Sequence, residues 1–242
     1  MEIRICKNSN ELGKSAASHI AQQLRKIIAE KGYARIALST GASQFDTIKH
    51  LVLEDVDWSK VEMFHLDEYV DLPESHPASF RKYLKERFVD KVGALKAAHF
   101  VDGTKESIAY LTKEITCEPI DIGLIGIGEN THIAFNDPPA DFDTKESYIV
   151  VNLDAACRNQ QMGEGWFKTF DEVPKQAVSM TVHQIMQCKM IVSCVPYAVK
   201  ADAVYKTLTA KETTNLIPAT KLKEHPNFIL YIDCDSAKRV FL

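Results

Sequence analysis

The chain is 242 residues long, 45% hydrophobic and 26% charged, with a formal net charge of -4. That is ordinary globular usage in a chain able to bury a full core, and its slight acidity argues against a nucleic-acid partner. The longest candidate for a membrane span, Ile120 to Ile127, is strand-sized rather than bilayer-sized, and the amino terminus lacks a basic start followed by an apolar stretch, so the expectation is a cytoplasmic protein without a membrane partner.

Asn10 to Lys31 carries Leu12, Ala16, Ile20, Leu24 and Ile28 at helical spacing, and Gly32 supplies the stop. Ala34 to Thr40 reads as a strand that runs into the small-residue turn Gly41-Ala42-Ser43 and a second amphipathic helix bearing Phe45, Ile48 and Leu51. Val61 to Asp67 is strand-like and ends in acidic residues. After a proline-punctuated loop, Ser79 to Val89 places Phe80, Tyr83, Leu84 and Phe88 on one helical side. A helix is expected over Lys105 to Thr116. Ile120 to Gly128 is nearly all apolar, as in a strand covered on both faces. Further strands are expected at Tyr148 to Asn152, Ala177 to Thr181, Met190 to Val195 and Phe228 to Ile232, with helices over Tyr197 to Ala210 and Ile217 to Glu224. Strand alternates with helix throughout, which predicts an α/β fold: a single doubly wound, mostly parallel sheet with helices on both faces. No repeat or linker divides residues 1–242, so one domain is expected. The six cysteines form no CxxC pair and sit in mostly apolar settings, which predicts reduced, buried thiols rather than disulfides or a metal site.

Ligands of open α/β sheets gather beyond the carboxyl ends of the strands, and three such ends carry reactive residue types. Ser39-Thr40-Gly41-Ala42-Ser43 has side chains small enough to let backbone amides approach a phosphate at a helix start; a ligand-free turn has the same appearance. His65-Leu66-Asp67-Glu68-Tyr69 offers two carboxylates for general-base work or, equally, for capping a helix. In Gly126 to Pro138 a histidine, His132, follows a glycine-rich strand end, with the carboxylate of Asp137 five residues on. Histidine can move a proton in either direction near neutrality, or it can serve structurally. No second histidine or cysteine stands at metal-ligand spacing.

The segments LSTGAS, FHLDEYVDLPESHPASFRKYL and LIGIGENTHIAFNDP, in this order, together with Val173-Pro174-Lys175, Lys200 to Val204 and HPNFILYID, resemble the glucosamine-6-phosphate deaminase family from about residue 10 to residue 236. The resemblance implies a cofactor-free enzyme acting on a small sugar phosphate, as a monomer or a homo-oligomer. By motif position Asp67 is implied as the base that carries a proton between C2 and C1. His132 is implied for ring opening, with Asn130 and Asp137 as its companions. Thr40, Gly41, Ala42, Ser43 and Lys200 are implied as holding the phosphate. The chain departs from the family pattern in three places. Asn130-Thr131 stands for Asp-Gly, so position 131 is expected either to avoid positive φ or to be strained. Asp137 stands for a longer glutamate. An arginine usual before Val-Pro-Lys is missing, with only Arg158 nearby. The carboxyl end is shorter than in allosteric relatives, so no allosteric control is expected. Two other readings stay open: a 6-phosphogluconolactonase-like hydrolase, and a sugar-phosphate sensor that has lost catalysis.

Overall fold

The computed structural model describes residues 1–163 and 165–241. Its first long element, α1 (Ser9–Lys31), forms where the apolar stripe predicts it. Asn8 caps the start by accepting from the Glu11 amide, and Gly32, at φ 88°, ends it. Around it, seven strands make one parallel sheet: β1 (Glu2–Cys6), β2 (Ala34–Leu38), β3 (Val61–His65), β5 (Ala97–His99), β6 (Ile122–Leu124), β9 (Met190–Val195) and β10 (Phe228–Asp233). Their order is β1-β10-β9-β6-β2-β3-β5, every pair parallel. The chain winds outward from β2 to β3 and β5, then returns to β6 on the other side of β2 and winds away through β9 and β10. The switch point therefore lies between β2 and β6, where such sheets open a crevice at their carboxyl ends.

Apolar side chains fill both faces of this sheet. On one, α1, α2 (Phe45–Leu51), α3 (Phe80–Leu84) and α4 (Asp90–Val92), the last two joined by a π turn, pack over Ile36, Leu38, Met63 and Tyr231. On the other, α5 (Lys105–Thr116), α8 (Ala201–Thr209) and the 3-10 segment Pro218–Glu224 cover Ala37, Phe64, Ile191 and Leu230.

The doubly wound parallel sheet expected from the sequence is present, and a second, three-stranded sheet stands beside it. The predicted strand 61–67 breaks after His65, and Asp67 opens β4 (Asp67–Tyr69), which pairs antiparallel with β8 (Gln176–Met180); β8 in turn pairs antiparallel with β7 (Tyr148–Asn152). The physical reason is exposure. β7 alternates between covered and open positions, as a one-sided antiparallel strand does, and cannot sit in the interior of a sheet buried on both faces. β6 is shorter than the predicted 120–128 because the chain opens into the glycine-rich loop after Leu124. β1, β5, α6 (Ala155–Gly163), α7 (Val182–Ile185) and the terminal α9 (Lys238–Phe241) are present in addition to the expected elements. Tyr197 to Ala210 resolves into a 3-10 turn, Ala198–Lys200, followed by α8. Of the six free cysteines, only Cys157, Cys188 and Cys194 are buried; Cys6 is half-buried, and Cys117 and Cys234 are exposed, because they lie at element ends rather than in the core. No helix among the described residues is long and apolar enough to cross a membrane.

Candidate active site

At the switch point the ladders run one residue further: Ser39 N, just past β2, donates to Leu124 O of β6, and Ile125 N, just past β6, donates to Val192 O of β9, each at 2.9 Å. Beyond this the two chains part around a cavity of about 180 Å³. Its wall includes Thr40, Gly41, Ala42, Ser43, Asp67, His132 and Lys200. Seven of the nine site residues expected from the sequence thus meet in one cavity. Asn130 and Asp137 do not line it; they stand behind His132.

The Thr40–Ser43 wall is shaped by Gly41, whose φ of 94° and ψ of 167° suit a residue without Cβ. The Tyr83 hydroxyl donates to the Gly41 carbonyl at 3.1 Å, and the Gln44 amide donates to the Cys194 carbonyl at 3.1 Å, tying the turn to β9. Across from it, Lys200 sits at the start of α8, 8% exposed. A cation there opposes the positive end of the helix dipole, so the position favours an anion beside it. Tyr197, which leads into this corner, holds φ 80° and ψ 145°, costly for a side chain with Cβ. Its amide donates to both carboxylate oxygens of Asp233, at 3.1 and 3.2 Å, which fixes the bend.

His132 owes its place to Gly128. A Cβ on Gly128 would fall 2.2 to 2.4 Å from three atoms of the imidazole, so the ring lies directly on the backbone. The turn closes through Gly128 N to His132 O at 2.9 Å and Thr131 N to Gly128 O at 3.0 Å. It holds Thr131 at φ 74°, the strained alternative of the two anticipated, with the side chain buried and its hydroxyl unpartnered. Asp137, despite its short side chain, does reach the ring: Oδ1 is 3.1 Å from His132 Nδ1, though without hydrogen-bond alignment. Asn130 orients the carboxylate rather than the ring. Its Nδ2 donates to Asp137 Oδ1 at 2.9 Å, and its Oδ1 accepts from the His132 amide at 3.1 Å. Burial works to raise the Asp137 carboxyl, yet the imidazole, the Asn130 amide and the Cys157 thiol together hold it below the ordinary carboxylate range.

Asp67 and Glu68 are adjacent carboxylates with different fates. Strand alternation turns them to opposite faces. Glu68, fully buried, accepts from Ser79 Oγ at 2.7 Å and from the Tyr69, Phe80 and Arg81 amides, and pairs with Arg81 Nε at 3.2 Å. It takes the capping alternative left open by the sequence, at the start of α3. Asp67 faces the cavity with none of these donors. Burial, with the Glu68 charge as a second cause, pushes its carboxyl up to about 8. His65, in the same motif, is buried away from the cavity, with neither ring nitrogen partnered; burial first, and then the Arg81 charge, pushes it down to about 3.

Several lining residues carry no assignment from the sequence: Glu129, Gln161, Phe80, Phe135 and Tyr197. Gln161 comes from α6, and its Oε1 accepts from the Tyr69 hydroxyl at 2.8 Å. The aromatic motif positions Phe80 and Phe135 stack on each other at 5.8 Å and were legible as apolar positions only. Tyr197 left no local signal, since its backbone angle depends on Asp233. Arg158 does not line the cavity. Its guanidinium donates to the carbonyls of Phe170 and Val173, at 2.6 and 3.0 Å, and lies over the Phe170 ring.

Far from this cavity, Glu62, His99 and Glu114 bring ligand-type atoms within 4.8 Å of one another. Arg35 Nε at 3.1 Å and His99 Nε2 at 2.8 Å already occupy the two Glu62 oxygens, which makes the group an ion-pair network rather than a cation cage.

The family model described as glucosamine-6-phosphate isomerases/6-phosphogluconolactonase matches residues 7–230. A glucosamine-6-phosphate deaminase of Staphylococcus epidermidis is 35% identical across 92% of this chain and 94% of its own. One from Thermoanaerobacter pseudethanolicus is 30% identical across 99% and 95%. Among solved structures, a monomeric glucosamine-6-phosphate deaminase superposes with a TM-score of 0.88 at 27% identity, covering 99% of this chain and 100% of that one. A 6-phosphogluconolactonase from Shewanella baltica, at 16% identity and a TM-score of 0.79 over 96% and 97% of the two chains, shares the fold. By the extent of these matches, the chain belongs to the glucosamine-6-phosphate isomerase/6-phosphogluconolactonase family.

Proposed function

We propose that this chain deaminates an amino-sugar 6-phosphate, glucosamine 6-phosphate in the first instance, giving fructose 6-phosphate and ammonia without a cofactor. The observation that carries the reading is the meeting, in one cavity, of a carboxyl raised to about 8, an imidazole and a small-residue turn that leads into a helix. A base that takes a proton from carbon works best when its affinity for that proton is raised toward neutrality, and desolvation does this for Asp67.

In this reading the phosphate sits on the Thr40–Ser43 turn beside Lys200, which fixes the sugar carbons relative to Asp67. His132, backed by Asp137 and Asn130, transfers the ring-oxygen proton as the ring opens to the aldehyde. Ionised Asp67 takes the proton from C2, and the electron pair moves to leave an enol at C1 and C2. The same carboxyl returns the proton to C1, giving the ketose-level imine. Water then adds at C2, and cleavage of the C–N bond releases ammonia. All the groups named here come from one chain.

The test is incubation of the purified protein with glucosamine 6-phosphate, assaying ammonia and fructose 6-phosphate, with 6-phosphogluconolactone in parallel. Equimolar ammonia and ketose are expected. Lactone hydrolysis without ammonia, or tight binding without turnover, would replace this reading with the hydrolase or the sensor.

A further inference from the structure

We infer that Glu129 is a specificity-determining residue that recognises the ammonium group of the substrate, and so selects 2-amino over 2-hydroxy sugar phosphates. The inference rests on the amino-sugar reading of the cavity and deepens it.

The ionisable side chains among the lining residues are Asp67, Glu129, His132, Lys200 and Tyr197. Lys200 and the small-residue turn make one corner suited to an anion. Asp67 and Glu129 bring acidic groups to the same cavity, whose remaining wall includes the apolar Phe80, Ile127, Ala134, Phe135 and Val199. A ligand matching this distribution is zwitterionic: a phosphate at one end and a cation at the other. An amino-sugar 6-phosphate has this form, with its charges on C6 and C2.

Asp67 is poorly suited to hold that cation. Its carboxyl must reach the hydrogen on C2, so it is not available as the fixed partner of the ammonium on that same carbon. Glu129 carries no such conflict. It follows Gly128 directly, inside the turn closed by the Gly128–His132 bond, so the backbone that places the imidazole also places this residue. Glu68 and Asp137 are both engaged by protein donors. The half-buried Glu129 carboxylate, by contrast, makes no hydrogen bond or ion pair among the described residues. A carboxylate at the wall of a largely apolar cavity, without a protein partner, is open to a ligand that supplies the opposite charge. A C2 hydroxyl offers less, and an N-acyl group removes the charge altogether.

Two non-reacting hexitol 6-phosphates separate this idea from the reading it rests on. One carries an amine at C2, the other a hydroxyl, and both are measured by calorimetry and by inhibition of turnover. The parent is expected to bind the amine form about tenfold more tightly, the scale of one partly desolvated charge pair. Glu129→Gln should weaken the amine form by a similar factor, leave the hydroxyl form unchanged, and raise KM for the amino sugar more than it lowers kcat. Glu129→Asp should recover part of the preference. An amine preference that persists in Glu129→Gln overturns the role of Glu129 and leaves the function intact. Equal weakening of both ligands overturns it too, as a merely structural effect. Binding of neither ligand by the parent overturns the amino-sugar reading and this inference together.

Discussion

Along the carboxyl ends of the seven-stranded sheet the cavity wall consists of small residues, helix starts and Lys200, whereas the three-stranded sheet presents Asp67 from its edge strand β4. The difference follows from what each sheet does with its backbone. Parallel strands feeding helices leave amides at the helix starts, which draw anions without any titrating side chain. The small antiparallel sheet instead encloses. Met180 N donates to Leu66 O at 2.7 Å, Phe135 N to Ser179 Oγ at 3.0 Å, and Asn136 Nδ2 to Met180 O at 2.9 Å, so β8 ties β4 to the His132 loop and closes Asp67 away from water. One sheet locates the substrate and the other alters a proton affinity. If that division is real, substitutions on the two sides must fail in different ways.

The largest effect is expected at Asp67. Asp67→Asn should lower kcat by about 10³-fold, within the range for loss of a general base, while phosphate-ligand affinity stays near that of the parent. The parent's kcat/KM should rise with pH through about 8, since the ionised carboxyl is the active form. Stability should move the opposite way. The folded-state affinity of Asp67 for its proton exceeds that of the unfolded chain, so its contribution is fully present below about pH 4 and is lost as pH rises through 8. Asp67→Asn should therefore exceed the parent in stability at pH 8 and above. An acid limb near pH 4 to 5 in the rate profile would break the account of Asp67.

Its neighbour supplies the contrast. Glu68→Ala removes a buried carboxylate that serves five hydrogen-bond donors, Arg81 Nε among them, and leaves Arg81 uncompensated, so a loss of about 3 to 5 kcal/mol in denaturant melts is expected. Residual activity per folded molecule should stay far above that of Asp67→Asn. On the large-sheet side, Lys200→Ala should weaken phosphate binding by roughly 10- to 100-fold, the worth of a charge-assisted contact. Bound substrate should still turn over. A drop confined to kcat would place Lys200 with the chemistry rather than with the anchor.

The contrast also explains what was legible. The large sheet is written in local patterns: the stripe of α1, the apolar run at Ile120, and the small residues at Thr40 to Ser43, each readable within a short window. Assembly of the site motifs at the strand ends follows from the switch-point rule. The small sheet is written in pairings between distant residues. Nothing near Leu66 announces that a strand must break there, because the break depends on Met180, more than a hundred positions away. For the same reason Asp67 and Glu68 could not be told apart: their roles are set by Ser79, Arg81 and the closing of β8. Asn130, expected as a companion of His132, holds Asp137 and the His132 amide, a matter of side-chain geometry that spacing does not encode.

The smallest expected effect tests whether strain in the His132 turn belongs to the small-sheet side of this division. Thr131 is 1% exposed, sits at φ 74°, and leaves its hydroxyl without a partner. A left-handed conformation costs a residue with Cβ about 1 to 2 kcal/mol, and the orphaned hydroxyl adds to that. Thr131→Gly relieves both, against roughly 1 kcal/mol of added freedom in the unfolded chain and the loss of one buried methyl group. A net gain near 1 kcal/mol in denaturant melts is expected, with the Gly128–His132 closure retained, since both its partners are backbone atoms. Loss of stability in this variant would mean that packing of the Thr131 methyl, rather than backbone strain, governs the turn. The His132 ring would then be held by its neighbours' side chains more than by the course of the chain beneath it.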